Sequence, residues 1–111
     1  MDRARADLAE GRPWLARDRL ESYLAGGHAV DQEVLELLGD VLFQMGDLPR
    51  AARYWTLTKR DDERVAAAYA ALRQRYPKPR DALAYIRVRV SLDSYPAAAR
   101  RRLEAIAAEA R

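Results

Sequence analysis

The 111-residue chain contains no cysteine, no asparagine and only one histidine, His28. Without cysteine, disulfide bonds, thiolate metal sites and thiol catalysis are all excluded. A lone histidine in a glycine turn lacks the companion ligands of a transition-metal site, so we interpret His28 as a surface-loop residue. No apolar run approaches the length of a membrane span, and the first residues lack the hydrophobic region of a signal peptide. We therefore expect a cytoplasmic protein without a cofactor and without a membrane partner.

Glycine and proline are scarce, with five residues of each, and β-branched residues are few. Abundant alanine, leucine, arginine and glutamate instead favour helices. A chain of this length forms one domain, so we predict a single all-α domain over residues 1–111. The sequence contains no glycine-rich phosphate loop, nucleophile elbow or metal-binding helix motif, and we therefore predict that the protein is not an enzyme.

The clearest periodic pattern lies in residues 35–55. Apolar residues at spacings of three and four predict one helix before Gly46 and another after it. Gly46 ends the first helix, because a residue without a Cβ adopts the left-handed C-cap conformation cheaply. Asp47 can cap the second helix, and Pro49 suits its first turn. The stretch therefore predicts two helices joined by a tight turn.

This stretch resembles the tetratricopeptide repeat, a pair of antiparallel helices about 34 residues long. Large and small side chains occupy the family's fixed positions at Leu35, Leu38, Gly39, Leu42, Gly46, Asp47, Ala51 and Trp55. Gly39 and Ala51 stand where two helices approach too closely for a large side chain. Thr58 departs from the pattern, because the family prefers alanine there. The resemblance implies stacked helix pairs with a concave binding face.

Offsets of 34 and 35 residues extend the pattern in both directions. The pairs 35 apart are Gly11 and Gly46, Ala16 and Ala51, and Leu20 and Trp55; those 34 apart are Leu35 and Tyr69, Leu38 and Leu72, and Leu42 and Tyr76. Arg73 replaces the glycine expected in the third repeat, which predicts a looser third helix pair. We predict a tetratricopeptide-like array of three antiparallel helix pairs plus a C-terminal capping helix, which Asp93 or Ser94 would cap and which would run to Ala110.

Residues 81–92 carry two competing patterns. Leu83 and Ile86 fit a helix, whereas the strict alternation over residues 86–92 fits a strand. Ala82 occupies the place of the small residue in a repeat's second helix, and a lone strand would have no partner. We therefore expect a helix here.

The resemblance also suggests a binding surface. In such repeats the first helix of each pair lines the concave face, and the corresponding residues of the central repeat are Glu33, Glu36, Asp40, Phe43 and Gln44. The three acids share one helix face. An acidic strip bordered by an aromatic ring suits a basic peptide, so we expect non-enzymatic binding of a protein or peptide partner. A solvated helix face is the alternative interpretation.

The charge distribution leaves two other functions open. Residues 1–55 carry seven arginines and ten acids, a net charge of −3, whereas residues 56–111 carry thirteen basic and seven acidic residues, a net charge of +6. The arginines between Arg73 and Arg102 could neutralise phosphates, although acids interrupt them, so nucleic-acid binding is the weaker alternative. Oppositely charged halves could also bring copies of the chain together, as in a self-associating structural protein or homo-oligomer.

Around residues 46–47 and 53–58 the chain is similar to a family of short bacterial proteins with no assigned function. That similarity implies nothing about chemistry.

Overall fold

The computed structural model describes residues 2–111, which form seven α-helices and one short 3-10 turn. The helices are α1 Asp2–Ala9, α2 Pro13–Ala25, α3 Gln32–Gln44, α4 Leu48–Trp55, α5 Glu63–Arg75, α6 Pro79–Ile86 and α7 Ala97–Glu109, and the 3-10 turn is Leu92–Ser94. No residue in this range forms a β-strand. The predicted all-α fold class is confirmed.

Aspartate side chains begin three of the helices. Asp31 and Asp47 each accept a hydrogen bond from the backbone amide three residues later, at 3.2 and 3.3 Å. One carboxylate oxygen of Asp62 accepts from two successive amides, at 2.9 and 3.0 Å. Each contact satisfies a donor that the first helical turn would otherwise leave unpaired. The cap predicted at Asp47 is therefore present, and Asp31 and Asp62 cap two further helices in the same way.

The residues related by an offset of 35 play equivalent parts in two helical hairpins. Gly11 and Gly46 both have left-handed backbones, with φ of +74° and +83°, in the turns that follow α1 and α3. Ala16 in α2 and Ala51 in α4 are both completely buried, as the close approach of two helices requires. These two pairs of residues thus occupy similar local environments in the first and second hairpins.

Gly39 is a point of close contact between α3 and the end of α4 in the second hairpin. A Cβ built on Gly39 would lie 2.0 Å from Nε1 of Trp55, so the indole occupies the space of the missing side chain. The same indole nitrogen donates a hydrogen bond to the carbonyl oxygen of Glu36 at 3.1 Å. Trp55 is completely buried and is among the largest side chains of the core.

The first five helices pack against their neighbours in chain order, but α6 does not continue this order. Each of α1 to α4 packs against the next helix, and the packing is most extensive where α4 meets α3 and α5. Helix α6 instead packs mainly against α7 and, to a smaller extent, against α4. The Arg73 side chain of α5 pairs with Glu109 of α7 at 2.8 Å. The loose third pair expected from Arg73 agrees with this packing.

The prediction for the segment after α6 is wrong. The helix ends at Ile86, Arg87 adopts a left-handed backbone, and residues 87–91 form neither helix nor strand. Val88 and Val90 there are each more than one-third exposed.

The start of the last helix also differs from the prediction. Helix α7 begins at Ala97, and neither Asp93 nor Ser94 caps it. Pro96 explains the late start, because proline disfavours the helical conformation in the residue before it, and Tyr95 is extended at φ −99° and ψ 157°.

Candidate functional site

All five residues predicted to bind a partner lie on α3. Glu33 and Gln44 are exposed, whereas Glu36, Asp40 and Phe43 are half-buried. We refer to these five residues as the α3 strip.

Two of the three acids in the α3 strip are paired within the protein. Glu33 accepts a hydrogen bond from Arg5 of α1 at 2.9 Å, and Asp40 accepts one from Arg60 in the turn before α5 at 2.7 Å. Within residues 2–111, no basic side chain lies within ion-pair distance of Glu36. The strip therefore presents one uncompensated carboxylate in a surface of mixed charge.

Arg60 connects the strip to the core. Besides Asp40 it contacts Asp62 at 2.6 Å, and its guanidinium lies 4.4 Å from the centre of the Trp55 ring. Burial alone would lower the pKa of Arg60, but the hydrogen bonds that Arg60 donates to Asp40 and Asp62 outweigh this effect and raise the pKa. Arg60 is thus held in place as a permanent cation beside Asp40.

Phe43 belongs partly to the hairpin core. Its ring centre lies 5.6 Å from that of Trp55, and the guanidinium of Arg64 lies 5.4 Å from the Phe43 ring. Sequence reasoning placed Phe43 on this face but could not foresee the arginines. Arg5, Arg60 and Arg64 come from other elements, and their positions depend on how those elements pack.

A second candidate site, which sequence reasoning missed, is a cavity of about 220 Å³ between α2, α4 and residues 86–95. Its polar lining consists of four arginines, one acid and two tyrosines: Arg50, Arg53, Arg87, Arg89, Glu21, Tyr54 and Tyr95. We refer to it as the arginine cavity. The spacing of Arg50 and Tyr54 shows that they share a helix face, but Glu21 and the segment after α6 join them only in three dimensions.

A compact hydrogen-bonded cluster lies on one wall of the arginine cavity. The Glu21 carboxylate accepts two hydrogen bonds from one Arg50 nitrogen, at 2.7 and 2.6 Å, and one from the Tyr54 hydroxyl at 2.6 Å. Burial and then the hydrogen bond to Glu21 raise the pKa of Tyr54, which keeps the phenol protonated as a donor. These contacts use most of the acceptor capacity of Glu21.

Arg53 and the segment after α6 also line the cavity. The Nε of Arg53 donates to the Tyr85 carbonyl oxygen at 2.7 Å, and its guanidinium lies 4.1 Å above the Tyr85 ring. The buried Tyr95 side chain also lines the cavity, and burial raises the pKa of its phenol.

Several arginines that suggested nucleic-acid binding are engaged inside the protein. Arg102 donates hydrogen bonds to the carbonyl oxygens of Trp55 at 3.1 Å, of Thr58 at 2.7 Å and of Arg60, and so closes the end of α4. Arg73 is held by Glu109. The charge available to an external phosphate backbone is therefore smaller than the sequence suggests.

Neither a metal site nor a membrane-spanning helix is present among the described residues. In the stretch from Asp2 to Arg111, no three histidine, cysteine or acidic side chains are grouped so that they could hold a metal ion. None of the helices in that stretch has the length and apolar character needed to cross a bilayer. His28 stacks on Tyr23, with ring centres 3.9 Å apart.

No curated protein and no solved structure matches the chain. The model of one protein family, described as "Family of unknown function (DUF6584)", matches residues 1–111. This match agrees with the similarity to short proteins without an assigned function that the sequence indicated. The chain therefore belongs to the DUF6584 family, a family of unknown function.

Proposed function

We propose that the protein is a non-enzymatic binding module, with a tetratricopeptide-like arrangement of helical hairpins, that receives a protein or peptide partner on the α3 strip. The observation that carries the proposal is the packing of Trp55 onto Gly39, which joins α3 and α4 at the positions where the repeat pattern requires close approach. The left-handed glycines after α1 and α3 support the same arrangement in the first hairpin.

The chemistry of the α3 strip favours a partner with a basic side chain. No cation among residues 2–111 pairs with Glu36, so a partner's lysine or arginine can pair with it directly. Glu33 and Arg5 are about half exposed or more, with side-chain exposures of 65% and 49%, and an exposed ion pair contributes only about 0–1 kcal/mol. A partner cation can therefore replace Arg5 at Glu33 with little loss of stability.

The apolar part of the contact would come from Phe43. Its ring is half-buried against Trp55, so one part remains accessible while the rest is fixed in place. A ring held in this way loses little conformational entropy on binding. Charge would then set specificity and the association rate, while Phe43 contributes affinity.

Site-specific photo-crosslinking in the native cell tests the proposal. A benzophenone amino acid at Gln44, which is exposed at the end of the strip, should yield a defined crosslinked partner. The same probe at Glu104, exposed on α7, serves as the matched control and should not yield that partner. Glu36→Lys should reduce the Gln44 crosslink severalfold without lowering the melting temperature, because Glu36 has no internal ion pair to lose.

Two results would contradict the proposal. One is the same crosslinked product from positions 44 and 104, which would indicate contact by chance. The other is a partner whose crosslink to position 44 is unchanged by Glu36→Lys, which would show that the strip's charge has no part in recognition.

A further inference from the structure

We propose that the arginine cavity is a binding site for a small anion that carries one phosphoryl group, such as orthophosphate or a phosphomonoester. The site is separate from the α3 strip and does not depend on the function proposed there. Arg50, Arg53, Arg87 and Arg89 line the cavity with Glu21 as the only acid, so the lining carries a formal charge of +3.

The single acid in the lining does not neutralise the other arginines. Glu21 is already bound by Arg50 and Tyr54. Within the described part of the chain, no carboxylate lies within ion-pair distance of Arg53, Arg87 or Arg89. Three uncompensated guanidinium groups around one small cavity repel one another, and an anion between them would relieve that repulsion.

The donors around the cavity are incompletely used. The Nε atom of Arg50 is buried without a hydrogen-bond partner, and an unpaired buried donor is unfavourable. Arg53 uses only its Nε, on the Tyr85 carbonyl, while the Tyr85 ring fixes the plane of the guanidinium. Its terminal N–H groups are therefore oriented before a ligand arrives. A planar fork of donors suits the oxygen atoms of a phosphoryl group.

The size of the cavity limits the ligand. A volume of about 220 Å³ is below the range of roughly 300–1,000 Å³ typical of pockets for drug-sized molecules. One phosphoryl group with a short organic part fits this space, whereas a run of nucleotides does not.

The backbone of Arg87 provides an independent indication. Arg87 occupies the left-handed conformation, φ 60° and ψ 71°, at the C-cap of α6, where glycine is the favoured residue. Strained backbone that persists at a residue with a charged side chain is often associated with function. Here the unusual conformation ends α6 and turns the chain so that Arg87 and Arg89 both line the cavity.

Calorimetric titration with orthophosphate and with glycerol phosphate tests the site, at an ionic strength held constant with sodium chloride. Both probes should bind the wild-type protein saturably. Arg53→Gln and Arg89→Gln should each raise the dissociation constant about tenfold or more, as expected for the loss of a charge-assisted hydrogen bond. Arg101→Gln, which removes an exposed arginine of α7 outside the cavity, is the matched control and should change the constant less than twofold.

Arg87→Gly separates binding from folding. Glycine accepts the left-handed backbone without strain, so the melting temperature without ligand should stay the same or rise while phosphate affinity falls. If Arg53→Gln fails to fold because the contact with Tyr85 is lost, Arg89→Gln still decides the question, since the Arg89 side chain is exposed.

The outcomes are distinct. Binding of orthophosphate alone assigns free phosphate as the ligand, and binding of both probes assigns a phosphomonoester. Absence of saturable heat with either probe, a response that chloride reproduces at the same ionic strength, or equal weakening by Arg101→Gln and Arg89→Gln would overturn the proposal.

Discussion

Replacing Gly39 with alanine tests the packing on which the second hairpin depends. The new Cβ would lie 2.0 Å from Nε1, 2.3 Å from Cδ1 and 2.4 Å from Cε2 of Trp55. These atoms belong to a rigid ring that is completely buried, so the indole cannot yield by a small rotation of a flexible end. Either the ring is displaced or α3 and α4 separate, and both movements weaken the hydrogen bond from the indole to the Glu36 carbonyl oxygen.

Three contributions set the expected loss of stability. Overpacking a core costs about 1–3 kcal/mol, and the lost indole hydrogen bond costs about 1 kcal/mol more. Alanine in place of glycine inside a helix stabilises the folded protein by about 1 kcal/mol, because alanine has the higher helix propensity. We therefore expect Gly39→Ala to lower the free energy of unfolding by about 1–3 kcal/mol, which is a large part of the roughly 5–15 kcal/mol available to a domain.

Equilibrium unfolding in urea, followed by tryptophan fluorescence, measures this loss. Gly26→Ala is the matched control, because Gly26 has an ordinary backbone (φ −82°) and its Cβ would meet neighbouring atoms at 3.4 Å or more. That variant should change the free energy of unfolding by less than about 0.5 kcal/mol.

A stabilising Gly39→Ala would refute the reasoning. It would mean that helix propensity alone decides the outcome and that the indole does not fill the space above Gly39.

The first hairpin suggests a compensating double variant. Ala4 and Leu20 stand 35 residues before Gly39 and Trp55, and both are buried. Trp55→Leu combined with Gly39→Ala should therefore lose less than the sum of the two single variants.

Two further predictions concern the polar contacts that close the fold. Arg102→Ala should destabilise the protein by about 2 kcal/mol in urea unfolding, because three carbonyl oxygens at the end of α4 lose their donor, whereas Arg101→Ala should have almost no effect; equal losses would contradict the prediction. The hydrogen bond that Arg60 donates to Asp62 lowers the pKa of this carboxyl group in the folded protein. The resulting stabilisation is complete above the unfolded-state pKa, which is near 4. It is lost as the pH falls through the lower folded-state pKa. Asp62→Asn keeps a good N-cap but cannot titrate, so the decrease in urea-unfolding stability from pH 6 to pH 3 should be smaller than in the wild type, and an unchanged decrease would assign it to other groups.

Local signals in the sequence are sufficient to indicate where several of the helices up to α5 begin or end. Asp31, Asp47 and Asp62 begin helices, and Gly46 ends one, because each effect depends on backbone groups within a few residues. The repeat offsets located the hairpin contacts for the same reason, since a small residue at Gly39 has meaning only if a neighbouring helix approaches it.

The segment after α6 could not be predicted in this way. Its apolar alternation resembles that of a strand, but no other strand lies within residues 2–111 for it to pair with. Its path is fixed by the buried Tyr95 side chain and by Pro96, and the depth of Tyr95 in the core depends on tertiary packing. Local propensity therefore gave the wrong boundary for α6 and for α7.

The sequence alone located the α3 strip, but it gave no sign of the arginine cavity. Periodicity placed the α3 strip on one helix, but the cations that pair with Glu33 and Asp40 come from residues 28 and 20 positions away. The arginine cavity combines α2, α4 and the segment after α6, so it exists only once these elements have packed.

The unpaired segment at residues 87–91 also bears on solubility. Its valines face solvent beside backbone groups that take part in no sheet, which is the composition of an aggregation-prone sequence. Arg87 and Arg89 alternate with these valines and keep other chains from adding to the segment through charge repulsion. We infer that the two arginines protect this segment, and that removing both would leave a short aggregation-prone stretch exposed.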